Sequence, residues 1–412
     1  MKKKVLIFIL IALIFNGFKD AREVNYMAIV SSIGIDVTDE NEYIITAEVF
    51  NTKKNDSSSS NSNPEIITYE AKANSVHKAL RDMVKKSPNK LYLGHLDLVM
   101  LSENAAKEDV TEAVDFFIRD NEGSSDFMVV ITKDTTPQEI LNSSSKVNSS
   151  IAKEITEIIK TTYKYVGSAT DYLLVDNLDM ILDDGRATVM SAISFDDENE
   201  VSSKENEKSD DTNMSKDSKG SGNESNSNED NENLTPKFKS ENIAYFKSRS
   251  FCGYLDENES IVYNLLKNKL QNTILTIGEG ENLLVAEITT ANSKLSPKYE
   301  DDNFIVDIDV NVEANITEVG NKVRYEVNDK IDKYKAKLEE EITKKISDAL
   351  YNYQNKYKED IVGYGSLFYK YLPKEYLKVK DKFYNEYFQK VKSNVKVNVE
   401  FPLEGGNMTR GR

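Results

Sequence analysis

Cysteine is almost absent. The 412 residues contain one, Cys252, so no disulfide can form within the chain. Histidine is nearly as scarce, with only His77 and His95, and no set of His, Cys, Asp and Glu has the spacing of a zinc site. A phosphate loop of the G-x-x-x-x-G-K type is missing, and so is a G-x-S-x-G elbow. There is no tryptophan; beside abundant Lys, Asn, Ile, Glu and Tyr, this looks like an AT-rich coding bias rather than a physical signal. Positive charge is outweighed: 70 Asp and Glu against 53 Lys and Arg give −17. A nucleic-acid partner needs a basic surface, so the expectation is no nucleic acid. The negative mean hydropathy excludes a polytopic membrane protein. These absences argue against an enzyme, and against a bound metal or cofactor.

What is present starts with the N-terminus. Lys2, Lys3 and Lys4 precede an unbroken apolar run from Val5 to Phe15, then Asn16-Gly17-Phe18 and the polar Lys19-Asp20-Ala21-Arg22-Glu23. A basic tip, a short apolar core and a small residue near its end form the pattern of an export signal. The run of 11 residues makes about 16 Å of helix at roughly 1.5 Å per residue. A bilayer core is about 30 Å thick, so the run is too short for an ordinary span. The body of the chain is therefore expected outside the cytoplasmic membrane. Cutting after Gly17 puts Phe15 three residues before the cut, and cutting after Ala21 puts Lys19 there; neither suits a processing enzyme that reads small residues. A lipoprotein signal needs Cys directly after Gly17, and Phe18 stands in its place, which rules out lipidation at that position. Residues 1–22 are expected to remain as an uncleaved short anchor.

The rest is long enough for two or three domains, and 39% hydrophobic residues can build real cores. Two β-type runs, Asn25–Asp36 and Tyr43–Phe50, flank a polar turn and predict a hairpin. Residues 51–64, with Ser57 to Ser60 in a row, are expected to be a mobile loop. Strands follow at Ile66–Ala71, Leu91–Leu101 (broken at Gly94 and His95) and Phe127–Thr132. Helices are expected from Asn74 or Ser75, over Glu103–Arg119, from Pro137, and over 151–182 with a break at Tyr163–Gly167. Ala187–Phe195 is a strand running into an acidic Ser/Asn-rich insertion. Residues 196–236 carry 13 Asp and Glu against 4 Lys, about half of the net charge, and are too polar to fold. Such a tract collects divalent cations only weakly, for want of fixed geometry. Strands resume at Ile243–Phe246 and Arg249–Leu255, before a helix over Glu257–Leu270. Farther on, Asn282–Ala291 and the alternating Asn303–Val319 are strands. A long helix over about 329–357 has one apolar stripe, Ile331, Tyr334, Leu338, Ile342, Ile346, Leu350 and Tyr353. Gly363 and Gly365 are expected to stop it, Pro373 to start a last helix, and Val395 to Phe401 to form a closing strand.

The fold class expected is α+β, in three successive domains, each a sheet flanked by helices. Their spans are 23–180, 181–280 (with the disordered insertion 196–238) and 281–406. No reaction chemistry is expected in any of them: His95 beside Asp97 would be a base and orienter without a nucleophile, Gly363-Tyr364-Gly365 is expected to be a helix stop, and Cys252 a small buried hydrophobe. Catalytic, cofactor and metal residues are expected to be none.

Several segments together carry a resemblance. Gly17-Phe18-Lys19-Asp20-Ala21-Arg22-Glu23-Val24 resembles a G-C-W-D-x-R-E-(I/L) head, and Ala28–Asp36 an A-I-V-x-G-I-G-I-D strand. Leu93–Glu103 resembles Y-L-G-H-x-(x)-V-I-V-I-S-E, and Arg119-Asp120-Asn121-Glu122 an R-D-x-E turn. Ile243–Lys247 with Gly253-Tyr254-Leu255 and Glu259 resembles an A-V-F-K…V-G-(W/Y)-L…E block. In order and spacing the chain resembles the Ger(x)C family, the C subunits of bacterial spore germinant receptors. The resemblance implies a membrane-associated, non-enzymatic subunit that acts with integral-membrane A and B subunits in nutrient-triggered germination. It implies a place on the outer face of the spore's inner membrane, tethered by the uncleaved N-terminal segment or by partner subunits. Phe18 departs from the family's lipidated Cys, and Lys19 from its Trp. A second reading is an extracytoplasmic solute-binding protein that captures the germinant itself.

Overall fold

The computed structural model describes residues 27–51, 65–107, 109–120, 125–143, 150–196, 237–320 and 331–402. The expectations for the N-terminal segment, for nearly all of the loop 51–64 and for the acidic insertion lie outside them.

The paired runs at the start form the hairpin of β1 (Met27–Val37) and β2 (Tyr43–Asn51), with β3 (Glu65–Ala73) on the outer side of β2. Helix α1 (Val76–Met83) begins at Ser75, whose hydroxyl accepts the Lys78 N–H. The Leu91–Leu101 run is split, as Gly94 and His95 predict, into β4 (Lys90–Tyr92) and β5 (Leu98–Ser102), both parallel to β1. The single helix expected over 103–119 is two, α2 (Glu103–Lys107) and α3 (Val110–Arg119). Asp109 breaks it, because its side chain accepts the Thr111 N–H and caps α3. β6 (Met128–Thr132) lies parallel to β5. Next come α4 (Pro137–Asn142), α5 (Ile151–Tyr165) and α6 (Leu174–Ile181).

β5 and β6 are buried along their whole length, which is why LVMLS and MVVIT read as unbroken apolar runs. Their side chains still alternate between faces. Val99, Leu101, Val129 and Ile131 pack with α1 and α3, through Leu80, Met83, Val114 and Phe117. Leu98, Met100, Met128 and Val130 pack with α4 and α5, through Ile140, Ile151, Ile155 and Ile159.

A sheet of its own was expected for the middle segment, and here the structure differs. β7 (Thr188–Phe195) runs parallel to β6, β8 (Phe238–Lys247) pairs antiparallel with β7, and β9 (Ser250–Tyr254) closes the edge. Nine strands thus form one sheet in the order β3-β2-β1-β5-β6-β7-β8-β9, with β4 beside β1. The reason lies in β7, whose TVMSAISF is buried except at its last residue and so needs a neighbour at both edges. The strands flanking the insertion pair down to Phe195 and Phe238, whose rings stack at 5.6 Å.

Helix α7 (Glu257–Leu266) leads into a second, four-stranded sheet of β10 (Thr273–Ile277), β11 (Leu284–Glu300), β12 (Asn303–Val319) and β13 (Lys392–Glu400). The alternation of β12 holds: Phe304, Val306, Ile308, Val310 and Val312 are buried. Across them lies α8 (Ile331–Tyr351), which continues as a wider π-type turn over Asn352–Tyr357 and buries Tyr334, Leu338, Ile342, Ile346, Leu350 and Tyr353. Two short helices, α9 (Tyr364–Tyr371) and α10 (Pro373–Tyr376), return the chain to β13. Gly363 and Gly365 do not stop the long helix. That helix has already ended at Lys358, in the left-handed region with φ 57°, and Gly363 (φ 87°) opens α9. One apolar core joins this sheet to the first, since Val189, Ile243 and Tyr245 pack into it alongside Val262, Leu266 and Ile308.

Candidate functional site at the junction of the two sheets

The loop between α6 and β7 meets the start of α9, and the contact is polar. Ala187 donates its N–H to the Asp360 carbonyl at 2.9 Å, and Ser366 donates its N–H to the Gly185 carbonyl at 3.0 Å. The Ser366 hydroxyl lies 2.8 Å from each oxygen of Asp183, and the Tyr384 hydroxyl donates to the Asp184 carbonyl at 3.1 Å. Asp360 is the centre of the junction. Its buried carboxylate accepts the N–H groups of Gly363, Tyr364 and Gly365 at 2.8, 2.8 and 2.7 Å. These are the orphan donors of a helix start, where negative charge is favoured. Burial nevertheless outweighs the three donors and nearby Lys267, and pushes the Asp360 carboxyl up to about 6. Lys267 donates to the Val362 carbonyl at 3.1 Å; burial, with Arg186 adding to it, holds its ammonium below the usual lysine range. A cleft of about 620 Å³ opens here, lined by Arg186, Lys247, Glu359, Tyr376 and Tyr384 among others. Lys247 and Glu359 pair across it at 2.8 Å.

These groups engage one another or the backbone. The arrangement fixes the second sheet against the first. Among the described residues no group of three or more His, Cys, Asp and Glu is placed to hold a metal ion. His95 is exposed with its ring edge-on to Tyr92 at 5.8 Å, and Asp97 is exposed in the same connection. His77 lies on α1, exposed, 5.0 Å from the Phe116 ring, and accepts a hydrogen bond from Arg81 at 3.3 Å. It lines a second cleft of about 730 Å³ between α1 and α3, together with Tyr43, Leu80 and Arg119. Cys252 is a correction: it is exposed, not buried. β9 is an edge strand, and its alternation turns Phe251 toward Phe246 at 5.8 Å and Cys252 to solvent.

The segments that carry the resemblance meet in space. β1 and β5 are partners, and Ser102 donates to the Asp36 carboxylate. Glu103 accepts from the Tyr254 hydroxyl at 2.5 Å, which joins α2 to β9. Glu259 is fully buried; it closes a capping box with Asp256 and accepts from Asn352 at 2.8 Å and Tyr357 at 2.7 Å. Of the Arg119–Glu122 turn, only Arg119 and Asp120 are described. Asp360 and Lys267 escaped the sequence reading. The one signal was Asp360 three residues before Gly363, a cap ahead of a helix.

Comparison with known proteins agrees with this architecture. A family profile described as "Spore germination protein N-terminal domain" matches residues 20–195, and one described as "Spore germination B3/GerAC like, C-terminal" matches residues 241–401. The chain belongs to the Ger(x)C family of spore germination proteins. Spore germination protein KC of Bacillus subtilis (strain 168) is 24% identical over 96% of this chain and 95% of its own. Spore germination protein B3 of the same organism is 27% identical over 29% of this chain and 32% of its own. Among solved structures, that of the GerBC protein covers 90% of this chain and 96% of its own, with a TM-score of 0.52 at 15% identity, a likeness of fold.

Proposed function

We propose that the chain is the non-enzymatic C subunit of a spore germinant receptor, working in nutrient-triggered germination through contacts with integral-membrane A and B subunits. The observation that carries this reading is the end-to-end similarity to spore germination protein KC, over 96% of this chain. The packing supports it: Asp36, Glu103 and Glu259 are engaged in hydrogen bonds that join elements. The subunit sits on the outer face of the spore's inner membrane, held by an uncleaved N-terminal segment or by its partners. No helix among the described residues is long and apolar enough to cross a membrane, so the hold is assigned to residues 1–22 or to a partner. Mild detergent extraction of spore membranes, followed by affinity capture of this chain, should bring down both integral subunits; capture of the chain alone would overturn the reading. Intact-mass measurement tests the anchor, since an N-terminus at Phe18 or later means that the signal is cut.

The cleft beside His77 and Phe116 favours a second reading, direct capture of a small germinant. A nutrient-dependent rise in melting temperature would support it, and no rise with any germinant tested would remove it.

A further inference from the structure

The strands β1, β5, β6 and β7 are parallel, so they all begin at one end of the nine-stranded sheet. At that end the chain arrives from the N-terminal apolar segment into Met27. At the same end lie the loop 182–187 before β7 and the Lys247–Ser250 turn between β8 and β9, since Thr188 pairs with Phe246 and Lys247 with Ser250. β1 and β7 are three strand spacings apart, roughly 14 Å.

The segment from Tyr364 to Lys392 covers this end through its bonds to Asp183, Asp184 and Gly185. Its composition departs from that of the chain. It holds seven Lys against three Asp and Glu, net +4 in a chain of −17, and nine Tyr or Phe in 29 residues. Tyr376, Phe383 and Phe388 are core, but Tyr369 (57%), Tyr371 (57%) and Leu377 (56%) are exposed, as is Leu182 (75%) in the adjoining loop. Lys370 lies over the Tyr371 ring at 5.1 Å. Among the described residues, Lys374 and Lys378 have no carboxylate within ion-pair reach. The acidic insertion leaves and rejoins the sheet at the opposite end, between Phe195 and Phe238.

We propose that this end of the molecule, through Tyr369, Lys370, Tyr371, Lys374, Leu377 and Lys378, rests on an anionic membrane surface. The inference deepens the membrane-associated reading above and rests on it. Amphipathic rings and lysines suit the headgroup layer, where the aromatic body is half buried and the ammonium meets lipid phosphate. Residues 16–26 join the apolar run that ends at Phe15 to the start of β1, at this end of the sheet.

The test uses the full chain with Cys252→Ser and one new cysteine, either Leu377→Cys or Glu40→Cys in the turn after β1. Each is labelled with an environment-sensitive fluorophore and mixed with phosphatidylcholine vesicles, with or without phosphatidylglycerol. A blue shift at position 377 on anionic vesicles only, with position 40 unchanged, supports the proposal. That shift should vanish in high salt and weaken about fivefold for each of Lys370, Lys374 and Lys378 replaced by Gln. If the chain sediments with vesicles while position 377 stays in water, the proposed face is wrong and membrane association stands. If the chain sediments with neither vesicle, the lipid proposal fails, and membrane association is left to the partner subunits. A shift at position 377 only in the presence of the integral subunits would assign the patch to protein contact and overturn the lipid proposal.

Discussion

Glu48, in the middle of β2, caps a helix that begins about a hundred residues later: its carboxylate accepts the Ile151 N–H at 2.8 Å. The same carboxylate accepts from Ala152 N–H at 3.2 Å and from the hydroxyls of Ser31 and Ser150 at 2.7 and 3.2 Å. A fully buried acid thereby meets the donors of a helix start and ties α5 to the β1–β2 hairpin. Glu48→Ala leaves those donors buried and unpaired, and should cost about 3 kcal/mol. Glu48→Gln keeps the shape and one acceptor, and should cost less. Urea unfolding of both variants checks the order.

Asp360 gives stability a pH dependence of known sign. Its folded carboxyl titrates at about 6, above the unfolded value of about 3.9. The raised group therefore contributes stability fully below pH about 4, and that contribution is lost as pH rises toward 6, at no more than about 1.4 kcal/mol per pH unit. Asp360→Asn should remove this slope. It should also destabilise the protein by about 1–3 kcal/mol, because an amide nitrogen cannot accept from the Gly365 N–H. Melting curves between pH 4 and 7 compare the two; an unchanged slope would show that another group carries the dependence.

Gly34 on β1 lets α4 lie close against the sheet. A Cβ at that position would stand 2.6 Å from the Pro137 Cβ and 3.3 Å from Leu141 Cδ1. Gly34→Ala should therefore destabilise by about 1–3 kcal/mol through overpacking. Calorimetry of the variant measures this directly.

Cys252 should react with a thiol reagent in the native protein at a rate close to that of the unfolded chain, because its side chain is exposed on an edge strand. Slow labelling that follows global unfolding would contradict that exposure.

Much of the architecture could be read from local patterns. The hairpin of β1 and β2, the buried runs of β5 and β6, the split at Gly94 and the single stripe of α8 each follow from periodicity or turn chemistry. What escaped depends on partners distant in sequence. Nothing in TVMSAISF says whether its buried edge meets β6 or a new sheet; only the register of Val130 with Ser191 decides it. β10 escaped because Thr273–Ile277 is a short edge strand with Ile274 turned outward. The junction was invisible for the same reason, since Asp360 and Lys267 are ordinary surface-type residues until the chain folds them together. Cys252 was misplaced because an apolar-looking strand does not reveal that it is an edge.

The ring pair of Phe195 and Phe238, with the Asp196 N–H bonded to the Lys237 carbonyl at 2.8 Å, makes the two strands a finished hairpin before the forty residues between them are considered. Connection length is then a nearly free variable. Closure entropy changes by only about 0.6 kcal/mol for each doubling, so a short Asn-Gly turn in place of residues 197–236 should raise stability by about 2.6 kcal/mol. The same join would accept a fluorescent domain or a new pair of chain ends, which offers a way to follow this protein in living spores without touching its packed body.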